Sequence, residues 1–396
     1  MTPLAAYADR LSVRPGETVR FHGSGAAGVT PHAAIHRVVC ADPNPAIGGV
    51  QTTNTGAPLT AYELSPQRVP LGSFAEVGGA VGRLAQLEAF TVSMRVKCTR
   101  LPSGANASAI ISSADGPDGG GASLVVALTS EGVISINGRD SSVRLPVGDW
   151  SLIAISVDRG AKEVALSAGL IDGPRVTVFQ TADDVAFHPT APLRFASSGH
   201  AATVPTFNGL LERPMIFDRV LTADEIVRVD RTATEREDGL VACWDFGRDM
   251  SSDRIVDIGP HALHGTLVNT PTRAVRGSRW TAREMNWRHA PDEYAAIHFH
   301  DDDVDDCAWP VVASFTVPDD FASGQYALML EAEGATENVP FWVVPPKGRP
   351  TAKIAVLVST FTYTVYGNHA RPGVVDGPDV AAGLARSDLR VGRLSA

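Results

Sequence analysis

Chemistry-bearing residues fall in a few stretches of this 396-residue chain. Phe361-Thr362-Tyr363-Thr364-Val365-Tyr366-Gly367-Asn368-His369 is a polar aromatic cluster that directly follows the apolar run Ile354 to Val358. Such a run reads as a strand buried on both faces, and open α/β sheets bind ligands at the carboxyl ends of their strands. On residue type alone, two tyrosines three positions apart are ordinary core or surface aromatics. His298-Phe299-His300, followed by Asp301, Asp302, Asp303, Asp305 and Asp306, sets two imidazoles on one strand face beside acids that suit a divalent cation. Calcium loops of the helix-loop-helix type need a Gly at the sharp turn and a bidentate Glu, and neither is in place, so a solvated acidic loop is the expectation.

Other constellations carry less. Asp218, Asp224, Glu225 and Asp245 could be cast as a glycosidase's paired carboxylates, but no Glu-x-Asp-x-Glu pattern lies in an apolar strand to hold them on one sheet face. Gly23-Ser24-Gly25-Ala26-Ala27-Gly28 matches the dinucleotide-binding fingerprint by letter. Val29-Thr30-Pro31 follows where a helix must begin, so a glycine-rich turn between strands is expected. His261 and His264 flank a turn and are expected to pack there. Cys40, Cys98, Cys243 and Cys307 lack the short paired spacings of a zinc site and read as buried thiols.

The elements that must position these residues are mostly strands. Thr18 to His22 alternates after the Pro15-Gly16 turn, and Ala34 to Cys40 is a second run, too little for a free-standing β domain. From Ala89 a series begins with Phe90-Thr91-Val92-Ser93-Met94-Arg95-Val96, apolar on the even positions, and continues through Ala107–Ser112, Ser123–Leu128, Val133–Ile136, Trp150–Val157, Glu163–Ala168 and Leu193–Phe195. Phe207 to Arg219 is strand-like with Pro214 inside, which argues for an edge. Leu221-Thr222-Ala223-Asp224-Glu225-Ile226 reads as a short helix with a Thr222–Glu225 capping box. Leu240 to Phe246 returns to strand, and Asp257-Ile258-Gly259 opens a turn into a last one. Residues 281–346 supply further strands at 293–300, 310–317, 323–330 and 338–344. With the two near the N-terminus they make an immunoglobulin-like sandwich over 1–60 and 281–346. Pro345-Pro346-Lys347-Gly348-Arg349-Pro350 is a linker, after which 349–396 reads as the first βα unit of an incomplete α/β domain.

Composition bounds the partners. Thirty-seven Gly and 27 Pro fit a turn-rich, mainly β chain, and a net charge of −10 argues against general attraction to nucleic acid or an anionic membrane. No basic segment with an apolar core opens the chain and no run of ~18 apolar residues occurs, so a cytoplasmic location is expected.

Two resemblances sharpen this. A strand, a helical turn led by Leu-Thr-x-x-Glu-Ile (Leu221 to Ile226), the Trp244-bearing strand and an Asp257-x-Gly259-x-x-x-x-x-Gly265 turn resemble the concanavalin-like, laminin-G family of jelly rolls over roughly residues 66–272. Leu357-Val358-Ser359-Thr360-Phe361-Thr362-Tyr363-Thr364-Val365-Tyr366-Gly367-Asn368, together with the order of domains, resembles the start of the amidotransferase-like catalytic domain in the large-subunit family of N,N-dimethylformamidase. That resemblance implies an amide hydrolase that cleaves small N-substituted formamides, dimethylformamide to dimethylamine and formate. It also implies one iron ion held by two tyrosines and a glutamate, a small accessory subunit and a higher-order oligomer. Tyr366 matches the first tyrosine ligand, with Tyr363 as the fallback; the remaining ligands and the catalytic residues are expected beyond Ala396, so this chain alone is expected to be inactive. The competing reading is a non-catalytic laminin-G module that binds carbohydrate or protein. The tail discriminates, since a binding module has no need of a strand typical of a buried parallel sheet.

Overall fold

The computed structural model describes residues 4–366 except 43, 105, 115–122, 182–183, 200–203 and 233. The chain divides into two compact units, one from Pro70 to Asp305, the other from the residues up to Val69 together with those from Asp306 onward.

The smaller unit is a two-sheet sandwich built from both parts of the chain. One sheet orders Ala5–Ala8, Thr18–Ser24, Val311–Thr316 and Thr60–Ala61; the other orders Ser12–Val13, Ala335–Val343, Gly324–Ala332, His32–Cys40 and Gln51–Asn54. The alternation read at Thr18 to His22 has its cause here, because Val19 and Phe21 point into a core with Ile35, Val312, Phe315, Leu328 and Phe341. Both sheets mix early and late strands, so neither part of the chain can close this core alone.

The larger unit is the jelly roll. One run of strands passes from Arg139–Arg144 through Val133–Ile136, Leu124–Leu128, Ser108–Ser113, Leu193–Phe195 and Phe74–Val77 to Gly265–Val268. A second comprises Ala296–Phe299, Asn208–Phe217, Ala89–Arg100, Ser151–Asp158, Glu163–Leu170 and Arg175–Thr181, and Arg254–Asp257 and Leu240–Asp245 join the two runs. The core between them contains Phe90, Val92, Ile111, Ile155, Phe195, Trp244 and Ile255, all fully or almost fully buried. Ala223–Thr232 is the only α-helix longer than a turn or two among the described residues. Its capping box forms as expected: Glu225 N–H donates to Thr222 Oγ1 at 3.3 Å and Thr222 N–H to Glu225 Oε2 at 2.9 Å. Leu221, Ile226 and Val229 seat it on Met215, Phe217 and Leu240, on the sheet face away from the main core.

Three expectations need correction. The strand read at 293–300 forms over Ala296–Phe299, but it pairs with Gly209–Leu211 and lies in the jelly-roll unit; the smaller unit resumes at Asp306, not near 281. Strand patterning specifies a face, whereas the partner edge is set by pairing that is non-local in sequence. Pro214 does not mark an edge. The strand Asn208–Phe217 is flanked on both sides, and the proline sits where the register shifts between Glu212 and Met215, with Arg213 at φ 50°, so a bulge accommodates the missing N–H. The strand expected within 353–360 makes no ladder among the described residues, where Ile354, Val356 and Leu357 are 83%, 83% and 97% exposed; the rest of the expected βα unit, from Gly367, lies outside them. An apolar run becomes a strand only where neighbours supply backbone partners, and among the described residues none does so.

Candidate functional site

After Val358 the chain turns into the short helix Thr360–Tyr366, where Thr362 N–H donates to the Ser359 carbonyl at 3.0 Å and the Ser359 and Thr362 hydroxyls share a 2.9 Å bond. Tyr363 is partly exposed and its ring stands edge-on to Trp342, centroids 4.6 Å apart at 77°. Trp342 is held in the strand Ala335–Val343, its N–H bonded to the Leu11 carbonyl at 2.9 Å. Tyr363 and Tyr366 thus share one helical turn, and three residues apart on a helix places them on neighbouring positions of one side. The side chain of Tyr366 lies outside the described residues, as does everything from Gly367 to Ala396 in the expected catalytic domain. Among the described residues no group of three or more His, Cys, Asp or Glu side chains is spaced to hold a metal ion.

Several members of the histidine and acid cluster have partners of their own. The His298 and His300 rings lie 3.9 Å apart. His300 Nδ1 is 3.0 Å from Asp303 Oδ2, which also accepts from the Ser73 hydroxyl at 2.7 Å. Asp301 pairs with Arg100, and Asp306 accepts from the Tyr7 hydroxyl at 2.8 Å. Burial, then the His300 and Lys97 charges, push His298 down to about 4.

Several of the other candidates have structural roles. Asp245 accepts from Gly247 N–H and Arg248, and Glu225 caps its helix and pairs with Arg219. The Gly25 and Gly28 N–H groups donate to the Ser65 and Leu64 carbonyls, which makes the Gly23–Gly28 stretch a turn packed on its own sandwich. Cys98, Cys243 and Cys307 are buried thiols while Cys40 is half-buried, and burial raises Cys243 to about 11 and Cys307 to about 12, so neither is a thiolate near neutrality.

The Asp257 turn is fully built. Its buried carboxylate accepts from the N–H groups of Cys243 (2.8 Å), Gly259 (2.7 Å) and Leu263 (2.8 Å), while Trp244 Nε1 donates to the Leu263 carbonyl at 2.7 Å. His264 closes the same turn by accepting the Asp257 N–H at 3.1 Å, so it packs and is not a ligand.

Sequence reasoning missed the most polar buried feature. Arg95, on the solvent-facing register of its strand, is covered by the helix Ala223–Thr232 and reaches Glu212 Oε1 at 2.6 Å and Asp230 Oδ1 at 2.7 Å. All three side chains are almost fully buried. Burial works against the guanidinium's charge, but the Asp230 hydrogen bond and the two carboxylates raise its pKa overall. Local alternation gave no signal, because Arg95 sits where a polar residue belongs.

The comparisons with known proteins bear on both halves of this picture. Residues 73–227 match a family model described as "Concanavalin A-like lectin/glucanases superfamily" and residues 272–385 one described as "N,N-dimethylformamidase beta subunit-like, C-terminal". An N,N-dimethylformamidase beta subunit of Paracoccus aminophilus is 30% identical over 92% of this chain, and one from Alcaligenes sp is 29% identical over 92%. The chain is a relative of the N,N-dimethylformamidase beta subunits. It spans about half the length of these relatives, 52% of each. A crystal structure of a putative carbohydrate-binding protein from Bacteroides ovatus aligns over 66% of this chain and 95% of its own at 10% identity, with a TM-score of 0.40. Among the described residues no helix is long and apolar enough to cross a membrane.

Proposed function

We propose that this chain belongs to an iron-dependent amide hydrolase acting on small N-substituted formamides such as dimethylformamide, in which Tyr366 is one ligand of a mononuclear iron. The observation that supports this is the identity of about 30% with two beta subunits along 92% of the chain, with the C-terminal family match running through Tyr366. A small accessory subunit and a higher-order oligomer belong to the same reading.

Phenolate and carboxylate are hard anionic donors suited to ferric iron, and an iron so held supplies a Lewis acid for an amide carbonyl. The described residues fit that centre only in part: they offer the helix turn that carries Tyr363 and Tyr366, and no group of three or more His, Cys, Asp or Glu among them completes a metal site.

The test uses the complete gene product, measuring iron by mass spectrometry and formate release from dimethylformamide, with Tyr366→Phe and Tyr363→Phe beside it. Loss of both iron and turnover in Tyr366→Phe, with Tyr363→Phe retaining them, agrees with the assignment. An iron-free, inactive product that binds glycans would leave the non-catalytic module as the function.

A further inference from the structure

A groove of about 510 Å³ lies on the outer face of the jelly roll, floored by Ser156, Ala165 and Ser167 and walled by Phe179, Val220 and the start of the helix Ala223–Thr232. That volume lies in the range that holds a small molecule. The groove is built into the sheet. Thr91 Oγ1 donates to the Arg219 carbonyl at 2.8 Å and accepts the Leu221 N–H at 2.9 Å, which ties the Val220 wall down, and the Ser156 hydroxyl bonds the same oxygen at 2.9 Å. Phe179 and Val220 are nevertheless 66% and 44% exposed. Two large apolar side chains on the walls of one groove leave surface in water that an apolar body would cover.

The charge in the groove is of one sign. Asp158 and Glu163 both line it and stand directly opposite each other in the antiparallel register of Ser151–Asp158 with Glu163–Leu170. Asp158 accepts the Ala161 N–H through Oδ1 at 2.9 Å, which leaves Oδ2 open, and Glu163 forms no ion pair or side-chain hydrogen bond among the described residues. No Lys or Arg lines the groove, Lys162 of the connecting turn included. Like charges directly opposed on a sheet repel, and a cation held between them relieves the repulsion. The floor hydroxyls are engaged, Ser156 with Thr91 and Ser167 with Arg175 Nε at 3.3 Å, so between the walls the groove suits an apolar group.

We propose that this groove binds a small organic cation, an ammonium group carried on an apolar alkyl or aryl body. The ammonium sits between the two carboxylates and donates to Asp158 Oδ2 and to Glu163, while the body lies over Ala165 against Phe179 and Val220. The same carboxylates repel an anion, and a bare metal ion leaves the apolar walls uncovered. The inference does not rest on the hydrolase reading, because the groove lies wholly within the jelly-roll unit, and it survives the failure of that reading.

The probe is phenylbutylamine hydrochloride, titrated into the 396-residue chain by calorimetry, with phenylbutyrate and phenylbutanol beside it as bodies of similar size and opposite or no charge. Saturable binding of the amine is expected with a Kd of about 1 mM or below, weakening with salt and about tenfold tighter than for the acid or the alcohol. Asp158→Asn combined with Glu163→Gln keeps an acceptor for the Ala161 N–H and is expected to erase the preference for the amine over the alcohol. Phe179→Ser, an exposed change, is expected to weaken the amine about tenfold, and unchanged circular dichroism verifies that each variant folds. No saturation by about 10 mM, equal binding of the acid or the alcohol, or indifference to these variants overturns the proposal. So does calcium that displaces the amine and binds Phe179→Ser as well as the parent chain, since the carboxylates then serve a metal ion.

Discussion

Replacing Arg95 with methionine isolates the largest electrostatic commitment in the jelly roll. The guanidinium uses all its N–H groups: Nε to Asp230 Oδ1 (2.7 Å), one terminal nitrogen to Glu212 Oε1 (2.6 Å) and the Ser278 hydroxyl (2.8 Å), the other to Asp230 Oδ2 and the Asp230 carbonyl (both 3.0 Å). Methionine fills similar volume but takes from two buried carboxylates the one cation hydrogen-bonded to both side chains, leaving the more distant Arg175 and Arg279 charges. Breaking a buried pair by removing one partner costs about 3–5 kcal/mol. For a unit of this size each kcal/mol moves the midpoint by about 2–4 °C, so Arg95→Met is expected to lower the melting temperature of the jelly-roll transition by about 6–20 °C. Calorimetry can resolve that transition from that of the smaller unit. The combined variant Arg95→Met, Glu212→Gln, Asp230→Asn removes the unbalanced charge and is expected to recover most of the loss. A shift below about 3 °C in the single variant, or no recovery in the triple, refutes the reasoning, because the cost would then not be electrostatic.

Two further outcomes follow from other groups. Asp257→Ala removes the acceptor of three buried N–H groups and is expected to destabilise the jelly roll by about 3 kcal/mol or more in urea unfolding; a loss under about 1 kcal/mol means that water reaches the turn. His298 has a folded pKa near 4 against an unfolded value near 6.5, so between these values the unfolded chain binds more protons; the stability it contributes is complete above about pH 6.5 and is lost as pH falls toward 4. An NMR titration placing the His298 midpoint at 6 or above contradicts the burial argument, and His298→Gln is expected to flatten the acid limb of the stability curve.

The similarity between Asp257 and Tyr366 as sequence signals ends at what each can reach. The Asp257-x-Gly259 turn was legible because its function is local: one carboxylate closes on N–H groups within a few residues and on the adjoining strand. Phe90 to Val96 was legible for the same kind of reason, since period-two alternation depends only on one buried face. The Thr222–Glu225 cap, likewise, is a four-residue interaction. Tyr366 was placed by resemblance alone, and its side chain lies outside the described residues.

What the sequence determined by itself is therefore the set of strands, their buried faces and the short-range caps, because propensity, alternation and turn chemistry act over a few residues. Tertiary structure decided the rest. It assigned Ala296–Phe299 to the jelly roll, seated Pro214 in a bulge, and turned the outward Arg95 into a buried ion cluster by laying a helix over it. Each of these depends on which distant segment arrives beside a residue, and the energy of that meeting, a backbone partner or a paired charge in a dry site, is not written in either segment alone.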